Sequence, residues 1–247
     1  MINIRTDIPA ELGPLSWLIG VWEGTGVIEY SVDGKRISQE FGQRVSFSHD
    51  GLPYLNYNSY SWLIGPNLAE EPEGDRQDDV AQAATAPDKD VALNSGADTQ
   101  TPMVGVDEVF SQGERPLVSE MGYWRLSRPR TEHDPGPGML PGSGDTVYGT
   151  AESVEALRIP LAEGEGFPLE VLLVHPTGVG ELYLGRIAGP RIDLATDYVM
   201  RAEGAKEYTA ASRMYGLVDN HLLWAWDMAA LGQPLRSHAS ARLAKRD

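Results

Sequence analysis

Few residues in this chain have the type and spacing to do chemistry. The five histidines, His49, His133, His175, His221 and His238, are scattered over 247 residues, and no two stand at i, i+2 or i, i+4, where neighbours on a strand or helix share a metal. Cysteine is absent, which removes disulfides, thiolate metal sites, iron–sulfur clusters and cysteine nucleophiles together. No G-x-S-x-G, Walker loop, H-E-x-x-H or helix-opening G-x-G-x-x-G occurs. Carboxylates are plentiful, 36 Asp and Glu against 20 Lys and Arg, so an acid–base pair picked from among them would have no support from spacing. The resulting charge of −16 repels phosphate backbones and anionic surfaces, which argues against nucleic acid and membrane as partners. What remains is a glycine run, Gly20-Val21-Trp22-Glu23-Gly24-Thr25-Gly26, a stripe of large apolar residues at period two, Leu222, Trp224, Trp226 and Met228, and a single histidine beyond it, His238.

The elements that must position these residues read as strands. Arg44–His49 and Leu55–Trp62 alternate polar and apolar residues around the hairpin signal Asp50-Gly51. Further strands are predicted at Glu120–Ser127, Gly149–Leu157, Leu169–His175, Gly180–Ile187, Arg191–Tyr198, Glu207–Val218, Leu222–Ala229 and His238–Ala244, spaced as in an antiparallel meander. Only Ala10–Leu18 offers a helical turn, and no βαβ alternation appears. A meander of about ten strands leaves bare edges unless it closes, so the predicted fold is all-β, an antiparallel up-and-down barrel. In a curving first strand, glycines at alternate positions let the backbone approach its neighbours, while Trp22 is placed to plug one barrel end.

Two stretches interrupt the pattern. From Asn67 to Gln100 nine acidic residues face two basic ones with no aromatic among them, the composition of a disordered insertion. Residues 130–145, RTEHDPGPGMLPGSGD, break both helix and strand and read as loop, with His133 solvated. The whole, residues 1–247, reads as one domain; no eighteen-residue apolar stretch spans a bilayer, and the first fifteen residues have no apolar export core, which places the protein in the cytoplasm.

The glycine motif with Pro14-Leu15-Ser16-Trp17-Leu18-Ile19 before it, the stretch Pro116–Tyr123, His175-Pro176-Thr177-Gly178, Ala205-Lys206-Glu207, and Met228–His238 with its Gln233-Pro234-Leu235 together resemble the nitrobindin family, small β-barrels shaped like fatty-acid-binding proteins and lipocalins. The resemblance implies a ferric b-type haem open to solvent at the barrel mouth, which binds nitric oxide and isomerises peroxynitrite to nitrate. It implies His238 as the proximal iron ligand and the catalytic centre, Met228 as a residue lining the haem pocket, and Lys206 as a partner for a haem propionate. Arg242, on one face with His238 and Ser240 if the last strand alternates regularly, is a second candidate for a propionate. The chain departs from many family members in having Val118 where they carry a histidine, and Ile28–Gly34 where they run Y-P-T. Without the resemblance the same barrel could hold an apolar small molecule and no haem, or serve as a scaffold whose acidic insertion recruits a protein. Oligomeric state, a homodimer included, is left open by the sequence.

Overall fold

Alternating side chains become a sheet that curls until its two edges meet. The computed structural model describes residues 8–32, 35–65, 114–162 and 164–246. Its strands are β1 (Gly20–Val32), β2 (Lys35–Ser48), β3 (Leu55–Ile64), β4 (Glu114–Leu126), β5 (Ile159–Pro160), β6 (Glu165–His175), β7 (Val179–Ala188), β8 (Arg191–Arg201), β9 (Tyr208–Val218), β10 (His221–Ala230) and β11 (Arg236–Arg246). Every pairing is antiparallel between neighbours in the chain, apart from two that close the ring: β4 with β6, and β1 with β11. The two-residue β5 pairs only with β6, so the closed barrel has ten strands.

One end of the barrel is shut. A 3₁₀ helix over Ala10–Leu18 buries Leu12, Leu15 and Leu18 against it. Trp22, fully buried on the inner face of β1, donates its indole N–H to the Leu18 oxygen at 2.7 Å. The glycine run lets β1 lie close to β11: a Cβ on Gly24 would sit 2.2 Å from the Arg242 oxygen, and one on Gly26 would sit 2.3 Å from that of Ser240. The loop over residues 130–145 carries only a 3₁₀ turn at Pro137–Met139. It is tied to the plug by buried Arg128, which donates to both carboxylate oxygens of Glu11 (2.7 and 2.9 Å) and both of Asp134 (2.9 and 2.7 Å). His133 is half-buried in this loop rather than solvated, its Nδ1 against the Ser143 oxygen.

Two expectations need correction or bounding. Gly149–Leu157 is not a strand; it holds the short helix α1 (Ala151–Glu155), started by a reciprocal cap in which Thr150 and Ser153 bond each other's backbone N–H. The acidic stretch 67–100 lies outside the described residues. The strands β3 and β4 that flank it are paired up to Ile64 and Glu114.

Candidate functional site

The mouth lies at the end opposite the plug, where β10 passes to β11, β8 to β9 and β6 to β7. Inner faces there follow the period-two rule: Leu222, Trp224 and Trp226 of β10 all line an interior cavity of about 60 Å³. Met228, one step nearer the mouth on the same face, packs against the core.

The last strand breaks that rule once. Ala239 pairs with Trp226 and Ser237 with Asp227, so His238 is an extra residue in a β-bulge. A bulge re-aims a side chain, and here it puts the imidazole edge-on against the Trp226 ring, 5.2 Å between centroids. Its neighbour Ala239 faces the cavity. The His238 Nδ1 lies 3.1 Å from the Glu29 backbone oxygen, which can only accept; the proton is therefore on Nδ1 and the lone pair on Nε2. Burial lowers the His238 pKa below the usual histidine range, with the cations Arg236 and Arg213 adding to the effect against the bond to Glu29. The result is a half-buried, neutral imidazole with a fixed tautomer, the form in which histidine ligates a metal.

The other residues expected at the site divide. Lys206 is exposed in the β8–β9 connection at the mouth end, the same end as His238 and Met228. Arg242 does not join them. Because the bulge ends the alternation, Arg242 and Ser240 line a groove on the barrel's outer surface, and the Arg242 guanidinium lies 3.3 Å from His221 Nδ1 near the plugged end. Gly20, Trp22, Gly24 and Gly26 form the closure rather than the mouth. Val118 lines the cavity near its opening.

Beneath Trp226 the barrel holds a charged network that alternation could have revealed. Arg213 of β9 is in phase with buried Ala211 and Tyr215, Glu181 of β7 with buried Tyr183, and Glu120 of β4 with buried Trp124. A charge on the apolar phase of a strand is the signal, and these three carry it. Arg213 donates to both Glu120 oxygens at 2.8 and 2.9 Å and lies 3.6 Å from Glu181. Glu181 accepts from Tyr183 (2.5 Å), Tyr208 and His175 Nε2 (2.7 Å), and Glu120 accepts from Tyr57 at 2.6 Å. Burial pushes the Glu120 pKa up, but Arg213 outweighs it and the carboxyl falls to about 2; Glu181 is lowered against burial by His175 and Arg213. Burial raises all four tyrosines, Tyr57, Tyr183, Tyr208 and Tyr215, which stay protonated; the first three donate to the carboxylates, and Tyr215 accepts from Arg213. His175 is thus a member of this interior network, where the sequence offered only a turn position. Ligand atoms of Glu120, His175 and Glu181 come within 4.8 Å of one another, but both carboxylates are engaged by Arg213 and by hydroxyl donors.

Network and imidazole meet at Trp226: the Arg213 guanidinium carbon is 4.3 Å from the centre of the Trp226 ring, whose edge faces His238. The Trp226 indole N–H is buried and has no hydrogen-bond partner among the described residues. Trp224 donates to Gln43 Oε1 at 2.7 Å, and Gln43 in turn to Ser59 at 2.9 Å.

Residues 11–245 match a family described as the THAP4-like, heme-binding beta-barrel domain. A protein of Leifsonia xyli named peroxynitrite isomerase is 54% identical over 99% of both chains. One of the same name from Clavibacter michiganensis is 51% identical over the full length of both. In fold, the chain is similar to the crystal structure of Rv2717c from M. tuberculosis, with a TM-score of 0.55 and 23% identity over 98% of this chain and all of the other.

Proposed function

The chain belongs to the THAP4-like, heme-binding β-barrel family, and from that premise we propose that it holds a ferric b-type haem on His238 and isomerises peroxynitrite to nitrate, with nitric oxide as a further ligand. One observation carries this reading: the bulge presents a neutral imidazole at the barrel mouth, its Nδ1–H held by Glu29 and its Nε2 lone pair available. The donor set therefore fits the group. When bound, ferric iron supplies a Lewis acid for a peroxo oxygen. The protein's part is to hold that centre and wall it. Trp226 fixes the imidazole from one side, and Ile28, Trp224, Trp226 and Ala239 form an apolar wall that keeps bulk water from the fragments of a small reacting anion. Met228 belongs to the same face of β10 and extends that wall toward the opening. Lys206, exposed at the rim, supplies a long cationic side chain for a propionate.

A haem-free carrier of an apolar ligand is not favoured. The matched family is described as heme-binding, and the similar proteins from Leifsonia xyli and Clavibacter michiganensis are named peroxynitrite isomerase, which supports the haem reading over that one. The proposal takes the chain as one domain in the cytoplasm; no described helix is long and apolar enough to cross a membrane.

The test is a titration of the purified protein with hemin. A histidine-ligated haem spectrum saturating at one equivalent, and peroxynitrite decay to nitrate accelerated by the loaded protein, are expected of the wild type. His238→Ala should lose the spectrum while keeping its β-sheet circular dichroism, and His221→Ala, at the plugged end, should keep both. Loss of the spectrum in His221→Ala but not in His238→Ala would overturn the assignment.

A further inference from the structure

We propose that the fork where β1 and β11 part at the barrel mouth seats a carboxylate of the cofactor, received by the guanidinium of Arg236. The inference rests on the haem reading above and adds to it a contact for the cofactor's charged edge.

Register makes the fork. Pairing between β1 and β11 runs from Val21 with Arg246 to Ile28 with Ala239 and stops there. Beyond that point β1 continues to Val32 on β2 alone, while Arg236 and Ser237 stay on β10 alone. The parted strands leave an open groove of about 250 Å³ lined by Glu29, Tyr30, Ser31, Arg36, Arg236 and Ser237. His238 stands at its root, bonded through Nδ1 to the Glu29 oxygen. The bulge at His238 also resets the phase of the strand. Directly paired residues share a face, so Arg236, opposite Met228, joins the inner row at the rim, while Arg242 lies on the outer surface. The device that removes one arginine from the mouth thus delivers another to it, two residues from the ligand.

The charge delivered there is unspent. Arg36 is paired with Glu29, which makes those two neutral, and Asp227 takes the Ser237 hydroxyl at 2.9 Å. Arg236 has no hydrogen-bond or ion-pair partner among the described residues, in a chain where 36 acidic residues outnumber 20 basic ones. Its charge is felt at the imidazole of His238. Haem b carries two carboxylates on one edge, and a protein of net charge −16 repels both except where a cation is free to meet them. A planar guanidinium can hold both oxygens of one carboxylate, and Tyr30 and Ser31 bring further hydroxyl donors to the same groove. Lys206, in the β8–β9 connection, remains for the second. Arg236 is a binding residue in this account and takes no part in the reaction.

The experiment measures how fast the loaded protein gives up its cofactor to excess apomyoglobin, for hemin and for hemin dimethyl ester, which keeps the iron and lacks both charges. The proteins are the wild type, Arg236→Met and Arg242→Met. Hemin should leave Arg236→Met about three- to tenfold faster than it leaves the wild type, and the ester should leave both at one rate. Added salt should speed hemin loss from the wild type more than from the variant. Arg242→Met should match the wild type with either compound. A change below twofold for hemin, an equal change for the ester, or an effect in Arg242→Met in place of Arg236→Met overturns the proposal. Unchanged hemin loss with slower binding of azide at the iron would assign Arg236 to small anions and overturns it too. If Arg236→Met loses its β-sheet circular dichroism, Arg236→Gln is measured in the same way. Uptake of neither compound by the wild type would overturn the haem reading and this inference with it; normal uptake with no effect of Arg236 would overturn this inference only.

Discussion

His238 Nδ1 and the backbone oxygen of Glu29 face each other at 3.1 Å across the seam where the last strand meets the first. The bond fixes the tautomer, and burial depresses the pKa, so the ligand form persists to lower pH than a free imidazole would allow. Hemin uptake, followed by its absorbance against pH, should therefore fall off below the ordinary histidine value of 6.5 rather than at it. The same sign governs stability. A group whose folded pKa is depressed contributes stability above its unfolded pKa and loses it as pH falls. The haem-free wild type should lose more melting temperature than His238→Ala between pH 7.5 and pH 5.

Arg213 is the keystone of the interior network. Arg213→Met would leave two ionised carboxylates buried without their cation, a change that costs about 3–5 kcal/mol. Chemical denaturation should show that loss. The double variant Arg213→Met with Glu120→Gln should recover part of it, since one stranded charge is then gone.

Acid should dismantle the same network in a defined window. Glu120 titrates at 4.5 when unfolded and at about 2 in the barrel, so its contribution is complete above pH 4.5 and is lost as pH falls from 4.5 to 2. In Glu120→Gln the steepest part of the acid-stability curve should flatten across that interval.

Closure depends on the absence of a methyl group. Gly24→Ala would place a Cβ 2.2 Å from the backbone oxygen of Arg242, and neither strand can yield without breaking the β1–β11 ladder. A loss of about 1–3 kcal/mol is expected. Gly13→Ala, with open space around its Cβ, is the control and should be close to neutral.

Deleting Asn67–Gln100 should leave the barrel intact. Ile64 and Glu114 are partners in the β3–β4 ladder, and residues 101–113 are enough chain to join them. Shortening the connection by about two-thirds lowers its closure entropy, which raises stability by about 1 kcal/mol, or a melting temperature by about 2–4 °C. A calorimetric comparison of the two proteins would reveal a structural role for the insertion as a clear drop.

Alternation was enough to read the barrel, because each strand buries one face and water fixes the other. It failed at Gly149–Leu157, where small and polar residues alternate by chance and the Thr150/Ser153 cap decides the outcome. His238 was legible through its resemblance to known sequences, and the device that aims it was not. A bulge leaves no mark on a strand whose neighbours are Ser237 and Ala239, so Arg242 looked like a companion of His238 while the fold sends it outward. The network of Arg213, Glu120 and Glu181 was overlooked for the opposite reason. Its members are charged, and charged residues in strands are read by default as facing solvent, although here each sits in step with buried aromatic residues.

The seam between β1 and β11 joins Val21 to Arg246, residues from opposite ends of the barrel's chain. Pairings that distant form slowly, after the local hairpins. His238 rides on the strand that makes them, and its proton is placed by Glu29 on the strand it meets. A partly assembled barrel thus has its apolar wall and its interior charges but no finished ligand. On the proposed reading, cofactor capture becomes a report on completed assembly: a chain arrested before its ends join has no oriented imidazole with which to take up iron.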